Sequence, residues 1–180
     1  DGVTDGRMGV LEPDIYIMEP SREFSSRIVN PILALYPNVQ FWDANGRQGH
    51  QVTFNYSPSA TTTIDHSNPG LTGDNNYSYL PEQLGLASYL ISVPIMKGHG
   101  VANVSLTFKN HFGSLKKWTY AKLHDYALPF RTYYSYAMNP LHDIYLNPNI
   151  KDKTFLIVGD GLFLQQNCHR RYTSGMEYLR

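Results

Sequence analysis

Ala87-Ser88-Tyr89-Leu90-Ile91-Ser92-Val93-Pro94-Ile95 is the stretch that decides the fold. It is largely apolar, partly β-branched and broken near its end by a proline. Nine residues are short for a core helix, and the β-branched content favours a buried strand. The run opens directly onto Met96-Lys97-Gly98-His99-Gly100. A second run of the same kind, Phe155-Leu156-Ile157-Val158, ends sharply at Gly159-Asp160-Gly161. Two buried strands that each finish in a glycine-rich turn are the mark of an α/β sheet.

The surrounding chain fits that frame. Asp14 to Met18 and Val39 to Trp42 read as short strands. Ser21 is positioned to cap a helix over about Arg22 to Leu35, in which Pro31 interrupts an apolar face. Val52, Phe54 and Tyr56 alternate with polar residues, as in a half-exposed strand over Gln51 to Tyr56. Ser57 to Ser78 is rich in Ser, Thr, Asn, Gly and Pro and reads as a long loop. Pro81 starts a short helix through Leu86, and a further helix is expected over Asn103 to Phe112. From Trp118 to Tyr145 the chain is crowded with tyrosine and reads as an insertion. The expectation is an α/β fold with a mostly parallel sheet flanked by helices and a Tyr-rich insertion. In such sheets ligands collect beyond the carboxyl ends of the strands.

Composition bounds the function. The chain has 180 residues, of which 42% are hydrophobic, enough for one α/β domain over residues 1–180. Fifteen Lys and Arg balance fifteen Asp and Glu, so the general basic footprint of a nucleic-acid binder is missing. No stretch approaches the roughly 20 apolar residues of a membrane helix. Cys168 is the single cysteine, so no self-contained iron–sulfur cluster or four-cysteine zinc site is expected. The chain starts Asp1-Gly2-Val3 without an initiator methionine, and the expectation is either a removed leader or a fragment or truncated form of a longer protein.

Chemistry concentrates between Lys97 and Gly113. Two cations, Lys97 and Lys109, two imidazoles, His99 and His111, and two amides, Asn103 and Asn110, follow the first strand. A strand end is a costly place for an ammonium group unless an anion meets it. If Asn103 to Phe112 is helical, its amino end adds free N–H groups to the positive potential, and Ser105 lies one turn from Lys109. The alternation of Val104, Leu106 and Phe108 allows a strand instead. Together these residues suggest a pocket for a small anionic ligand. Lys97 acts there as clamp or base, His99 as proton carrier or metal ligand, and Lys109, Asn110 and Ser105 as ligand-binding groups. Asp160 orients His99, acts as base or binds a cation. The plainer alternative is that these are solvated surface and loop residues.

Two other readings stand beside this one. Asp65-His66, His124-Asp125 and His142-Asp143 are adjacent pairs that could supply metal ligands if folding brought two of them together. The metal itself is not legible. Alternatively, the Tyr-rich segment, with Tyr133 and Tyr134 at its centre, serves a non-catalytic module that binds a polymer or a protein.

The stretches Val93-Pro94-Ile95-Met96-Lys97-Gly98-His99 and Leu106-Thr107-Phe108-Lys109-Asn110-His111-Phe112-Gly113 resemble the signature of the domain of unknown function 362 family. That signature runs as a hydrophobic strand, Pro, two residues and Lys-x-His, then a Thr-containing segment and Lys-Asn-x-x-Gly. Leu156 to Gly161 resembles its next strand and Asp-containing turn. The resemblance covers Ala87 to Leu164 well. It implies an uncharacterised bacterial protein with Lys97, His99, Lys109, Asn110 and Asp160 at pattern positions. It also implies links to an iron–sulfur partner protein, a metal-linked redox or maturation role, and an exported or periplasmic location. Gln165 to Arg180 departs from the family's further Asp-Pro-Val-Ala-like motif. Reaction, substrate and cofactor stay open.

Overall fold

A computed structural model describes residues 9–67, 77–95, 97–99, 103–105, 107–116, 139–159, 163–165 and 176–178. The side chains of 97–99, 103–105, 107–108, 163–165 and 176–178 lie outside the description, as does nearly all of the Tyr-rich segment. The chain forms two compact units, Asp1–Thr53 and Phe54–Arg180.

Among the described residues, the first unit is a three-stranded parallel sheet with one α-helix and a short 3-10 helix (Glu12–Asp14). Strands β1 (Tyr16–Glu19), β2 (Gln40–Asp43) and β3 (His50–Gln51) lie in that order. Ile17 pairs with Phe41, and Trp42 with His50. Helix α1 (Ser26–Leu35) connects β1 to β2. Its cap is Ser25, whose Oγ accepts the N–H of Arg27 at 3.3 Å. Ser21, the expected cap, instead donates its hydroxyl to Glu19. Pro31 sits inside the helix, where it offers no N–H to the preceding turn. The core forms where α1 meets the sheet: Val29, Val39 and Phe41 are buried, with Ile17, Phe24, Ile32 and Leu33 packed around them. The Phe24 and Phe41 rings meet edge to face at 5.3 Å. Strands have a two-residue period, so Tyr16 and Trp42 take alternate positions to Ile17 and Phe41. The Trp42 ring lies 5.8 Å from Tyr16 and stacks on His50 at 4.7 Å.

Asp43 closes this sheet. It is fully buried, and its carboxylate accepts the N–H groups of Phe24, Asn45 and Arg47. A buried carboxylate persists only when its lone pairs are filled in this way. The turn beyond it passes through Gly46 at φ +70° and Gly49 at φ +105°, conformations that favour glycine. The strand expected over Gln51 to Tyr56 shortens to the two residues of β3, and Phe54 forms an isolated bridge to Pro81.

In the second unit, β4 (Thr63–Asp65) and β5 (Tyr77–Tyr79) pair antiparallel inside the stretch expected to be loop. Helix α2 (Glu82–Leu86) follows. Strand β6 (Leu90–Ser92) pairs parallel with β9 (Thr154–Ile157), as an α/β fold requires. Between them, β7 (Lys97–His99) and β8 (Asn103–Ser105) form an antiparallel pair. A 3-10 helix (Thr107–Phe112), α3 (Pro140–Leu146) and α4 (Pro148–Lys151) also lie in the crossover. Strands β10 (Phe163–Gln165) and β11 (Met176–Tyr178) pair antiparallel. Helix α3 packs on the 3-10 helix, on α4 and on β4. Asparagines fix both helix starts: Asn139 Oδ1 accepts the Leu141 N–H, and Asn147 Oδ1 the Asn149 N–H. The Asn147 and Asn149 amides also donate to the Thr61 carbonyl. Ile64, Tyr79, Leu80, Leu84, Phe112, Leu115, Ile144 and Ile150 are buried side chains of this unit's core among the described residues.

Parallel pairing and helices give the α/β class. Among the described residues, parallel strands occur in two separate sheets, alongside three small antiparallel pairs. Two local expectations change. Residues 103–112 are not one α-helix but a strand followed by a 3-10 helix, in line with the alternation of Val104, Leu106 and Phe108. The strands β6 and β9, read as buried, are largely uncovered: Ile91 is 55% exposed and Phe155 75%, although Ser92 and Pro94 are buried. Among the described residues each has only the other as neighbour, and two strands cannot cover their own faces.

Candidate functional site

The candidate site lies at the carboxyl ends of β6 and β9, where the sequence places its residues. The two strands run parallel, with Ile91 opposite Leu156 and Ser92 opposite Ile157. The segment leading to Lys97 and the segment leading to Asp160 therefore leave from the same end of the pair. The Val158 N–H donates to the Ser92 carbonyl at 2.9 Å and extends the pairing to that end.

Asn110 is tied to the same place. Its Nδ2 donates to Ser92 Oγ at 3.1 Å, so the 3-10 helix is held against the end of β6. Ser92 is buried and Asn110 exposed, so the bond fixes an amide that still reaches solvent. The turn closing the helix is tight: Gly113 N–H donates to the Asn110 carbonyl at 2.9 Å. A Cβ on Gly113 would come within 3.2 Å of that oxygen, a closer contact than side chains usually make. Lys109 places its ammonium 5.4 Å from the centre of the Phe112 ring, a cation–π distance. His111 is buried, with Nδ1 3.2 Å from Ser114 Oγ. Burial drives its pKa down from 6.5 to about 4, so the ring is neutral at neutral pH.

Lys97, His99 and Ser105 lie in the β7–β8 ribbon. Lys97 pairs with Ser105 and His99 with Asn103, so all four take the alternate positions that share one face of the ribbon. Ser105 is thus opposite Lys97 rather than one helical turn from Lys109. The expected α-helix amino end facing the Lys97–His99 turn does not exist, since the backbone there is strand. Asp160 lies outside the described residues, as do His124, Asp125, Tyr133 and Tyr134.

A second polar cluster unites two of the His–Asp pairs. His66 Nε2 is 2.8 Å from Ser78 Oγ, and His66 Nδ1 is 3.5 Å from Asp143 Oδ2. The Asp143 carboxylate also accepts the N–H and the hydroxyl of Ser67. Burial raises the Asp143 pKa, but the hydrogen bonds from His66 and Ser67 outweigh it and hold the group below the usual carboxylate range. The order Ser–His–Asp resembles a nucleophile relay, but Ser78 is fully buried on β5 and no substrate reaches it there. The cluster joins β4, β5 and α3. A hollow of about 240 Å3 beside it is lined by Asp65, Asp143 and Asn147 among others. His142 is exposed, and the described residues contain no group of three or more His, Cys, Asp or Glu able to hold a metal.

Sequence reasoning had no signal for Ser92, a serine inside an apolar strand, or for the Ser78–His66 contact across twelve residues. What the fold and this strand-end geometry define is an α/β protein whose Lys-x-His and Lys-Asn-x-x-Gly segments meet one parallel strand pair. The profile described as domain of unknown function (DUF362) matches residues 52–176, and the chain belongs to that family. No curated protein and no solved structure matches it.

Proposed function

We propose that the carboxyl end of the β6–β9 pair binds a small anionic ligand. Lys97 and Lys109 supply positive charge, and His99 carries a proton or a metal bond. Asn110 and Ser105 hydrogen-bond the ligand, and Asp160 orients His99 or activates the ligand. The observation carrying this reading is the Asn110–Ser92 hydrogen bond. It ties the Lys-Asn-x-x-Gly segment to the strand that leads into Lys-x-His, so two segments distant in sequence share one strand end. Parallel pairing with β9 brings the chain before Asp160 to that end too. Open α/β sheets bind their ligands there.

Thermal-shift titration with inorganic phosphate and with succinate tests it. A rise in melting temperature with one anion is expected, and Lys97→Ala, His99→Ala and Asn110→Ala should each weaken it at least tenfold in midpoint. The apo melting temperatures of the Lys97 and His99 variants should stay near wild type. An anion response that survives all three substitutions sinks the reading.

A further inference from the structure

The Asp143 carboxylate is held where water is nearly absent. Its side chain is 6% exposed and faces the fully buried His66 ring, with Oδ2 3.5 Å from Nδ1. Taking a carboxylate and an imidazole out of water is unfavourable, and apolar replacements for such a pair often leave stability unchanged. What apolar contact lacks is direction. The Asp143 carboxylate accepts the Ser67 N–H at 3.0 Å and the Ser67 hydroxyl, while His66 Nε2 lies 2.8 Å from Ser78 Oγ. These contacts fix α3 along and about its axis against β4 and β5.

The neighbouring segments need such fixing. Helix α3 has seven residues, too few to hold a helix without tertiary support, and the 3-10 helix that packs on it has six. Ile144, next to Asp143, and Phe112, at the end of the 3-10 helix, are both buried. The other tethers of that segment include the Asn110–Ser92 bond and, beyond it, the Lys116 N–H to the Tyr79 carbonyl at 3.2 Å. Strand β5 thus serves both sides: Ser78 meets His66, and the next residue receives Lys116. We propose that Asp143 is a positioning residue for the anion site: bound to His66 and Ser67, it sets where α3 lies, and α3 sets where the 3-10 helix presents Lys109 and Asn110. The proposal rests on the anion reading of that strand end. Asp143 acts through α3 and not by touching the ligand.

Titration of the full chain with inorganic phosphate and with succinate, at a temperature where every variant is folded, tests it beside hydrogen exchange without anion. Asp143→Asn should weaken the anion midpoint about fivefold, within the usual range of coupling between sites. It should speed exchange in residues 107–113 about tenfold, as a local opening, and leave residues 40–43 at the wild-type rate. Ile150→Val, a change in the buried core of the same unit, should lower the melting temperature without moving the anion midpoint. Should Asp143→Asn fail to fold, the exposed Ser67 carries the test. Ser67→Ala should shift both readouts in the same direction, and Ser67→Thr, which keeps the hydroxyl, should restore them. Unchanged exchange at 107–113, equal acceleration throughout the chain, or an anion midpoint indifferent to Asp143→Asn and Ser67→Ala overturns the proposal. A wild type that binds neither anion is a different result: it sinks the anion reading and this proposal with it.

Discussion

Two parallel sheets in this chain were built from the same kind of sequence and finished differently. In the first unit α1 lies across the sheet, Phe41 is 2% exposed, and Asp43 ties the strand end to the following turn. In the second unit β6 and β9 carry as much apolar material, yet Phe155 is 75% exposed. The contrast teaches that an apolar strand states a demand for cover without saying where the cover comes from. Helix α1 meets the demand by connecting adjacent strands directly. Among the described residues, the β6–β9 crossover holds the β7–β8 ribbon, the 3-10 helix and two short helices. Among these, the 3-10 helix is tied to the end of β6 through Asn110.

The sharpest test of that contrast is the same substitution made in both sheets. Phe41→Ala should cost about 3–5 kcal/mol in urea unfolding, from lost burial and the cavity left behind. The same cost at Phe155→Ala would break the comparison, since an exposed phenylalanine should lose no more than about 0.5 kcal/mol.

Next in size is a pH effect. Folded His111 stays neutral to about pH 4, whereas an unfolded histidine protonates near 6.5. The unfolded chain thus binds more protons between those values. The stability contributed by His111 is fully present above about pH 6.5 and declines as pH falls toward 4, by up to about 3 kcal/mol. Urea unfolding of wild type and His111→Gln across pH 4–7 should show a steeper pH slope in wild type. Equal slopes would remove the buried imidazole from the account. Asp143 acts lower down: its depressed pKa gives stability that is lost only as pH falls through and below the usual carboxylate range.

A smaller effect probes how the second sheet holds its neighbour. Ser92→Ala removes the acceptor of the Asn110 amide and should cost about 1 kcal/mol. It should also speed hydrogen exchange in residues 107–113 more than elsewhere. Uniform acceleration would mean that the 3-10 helix is held by other contacts. Smallest is the exposed Arg47–Glu23 ion pair at 2.9 Å in the first unit. Glu23→Gln should leave the urea unfolding midpoint unchanged within error, because solvent screens the pair.

Much of the fold was legible because its signals are local. Apolar runs ending in glycine or proline marked β1, β2, β6 and β9, and Pro81 marked α2. The family signature was legible because its residues are fixed in type and spacing. The strands β4 and β5 were hidden because three residues each, Thr63-Ile64-Asp65 and Tyr77-Ser78-Tyr79, are too few to display a period. The 103–112 segment read as helix because its polar residues fit a helical face, while its apolar alternation, the truer signal, was given second place. Burial was the least legible quantity. Composition announced that β9 would prefer an interior, but its place at the margin of a two-stranded sheet is a property of topology. Of the candidate site, sequence supplied the residue types, and the Ser92 anchor emerged only when β6 and the 3-10 helix met in space.

Lys153 carries a consequence for the order in which the chain is made. Its ammonium donates to the carbonyls of Leu84 and Gly85 at 2.7 and 2.9 Å, at the end of α2. Its own carbonyl accepts the Leu90 N–H at 2.7 Å, the first bond of β6. One residue therefore fastens both sides of the 86–89 connection, and it is translated more than sixty residues after that connection. Throughout that interval a growing chain holds an uncharged strand with no partner beside it. Such segments attract chaperones and invite aggregation. The ribosome, rather than the finished protein, meets this sequence at its most vulnerable, and translation speed between residues 92 and 153 becomes a determinant of yield.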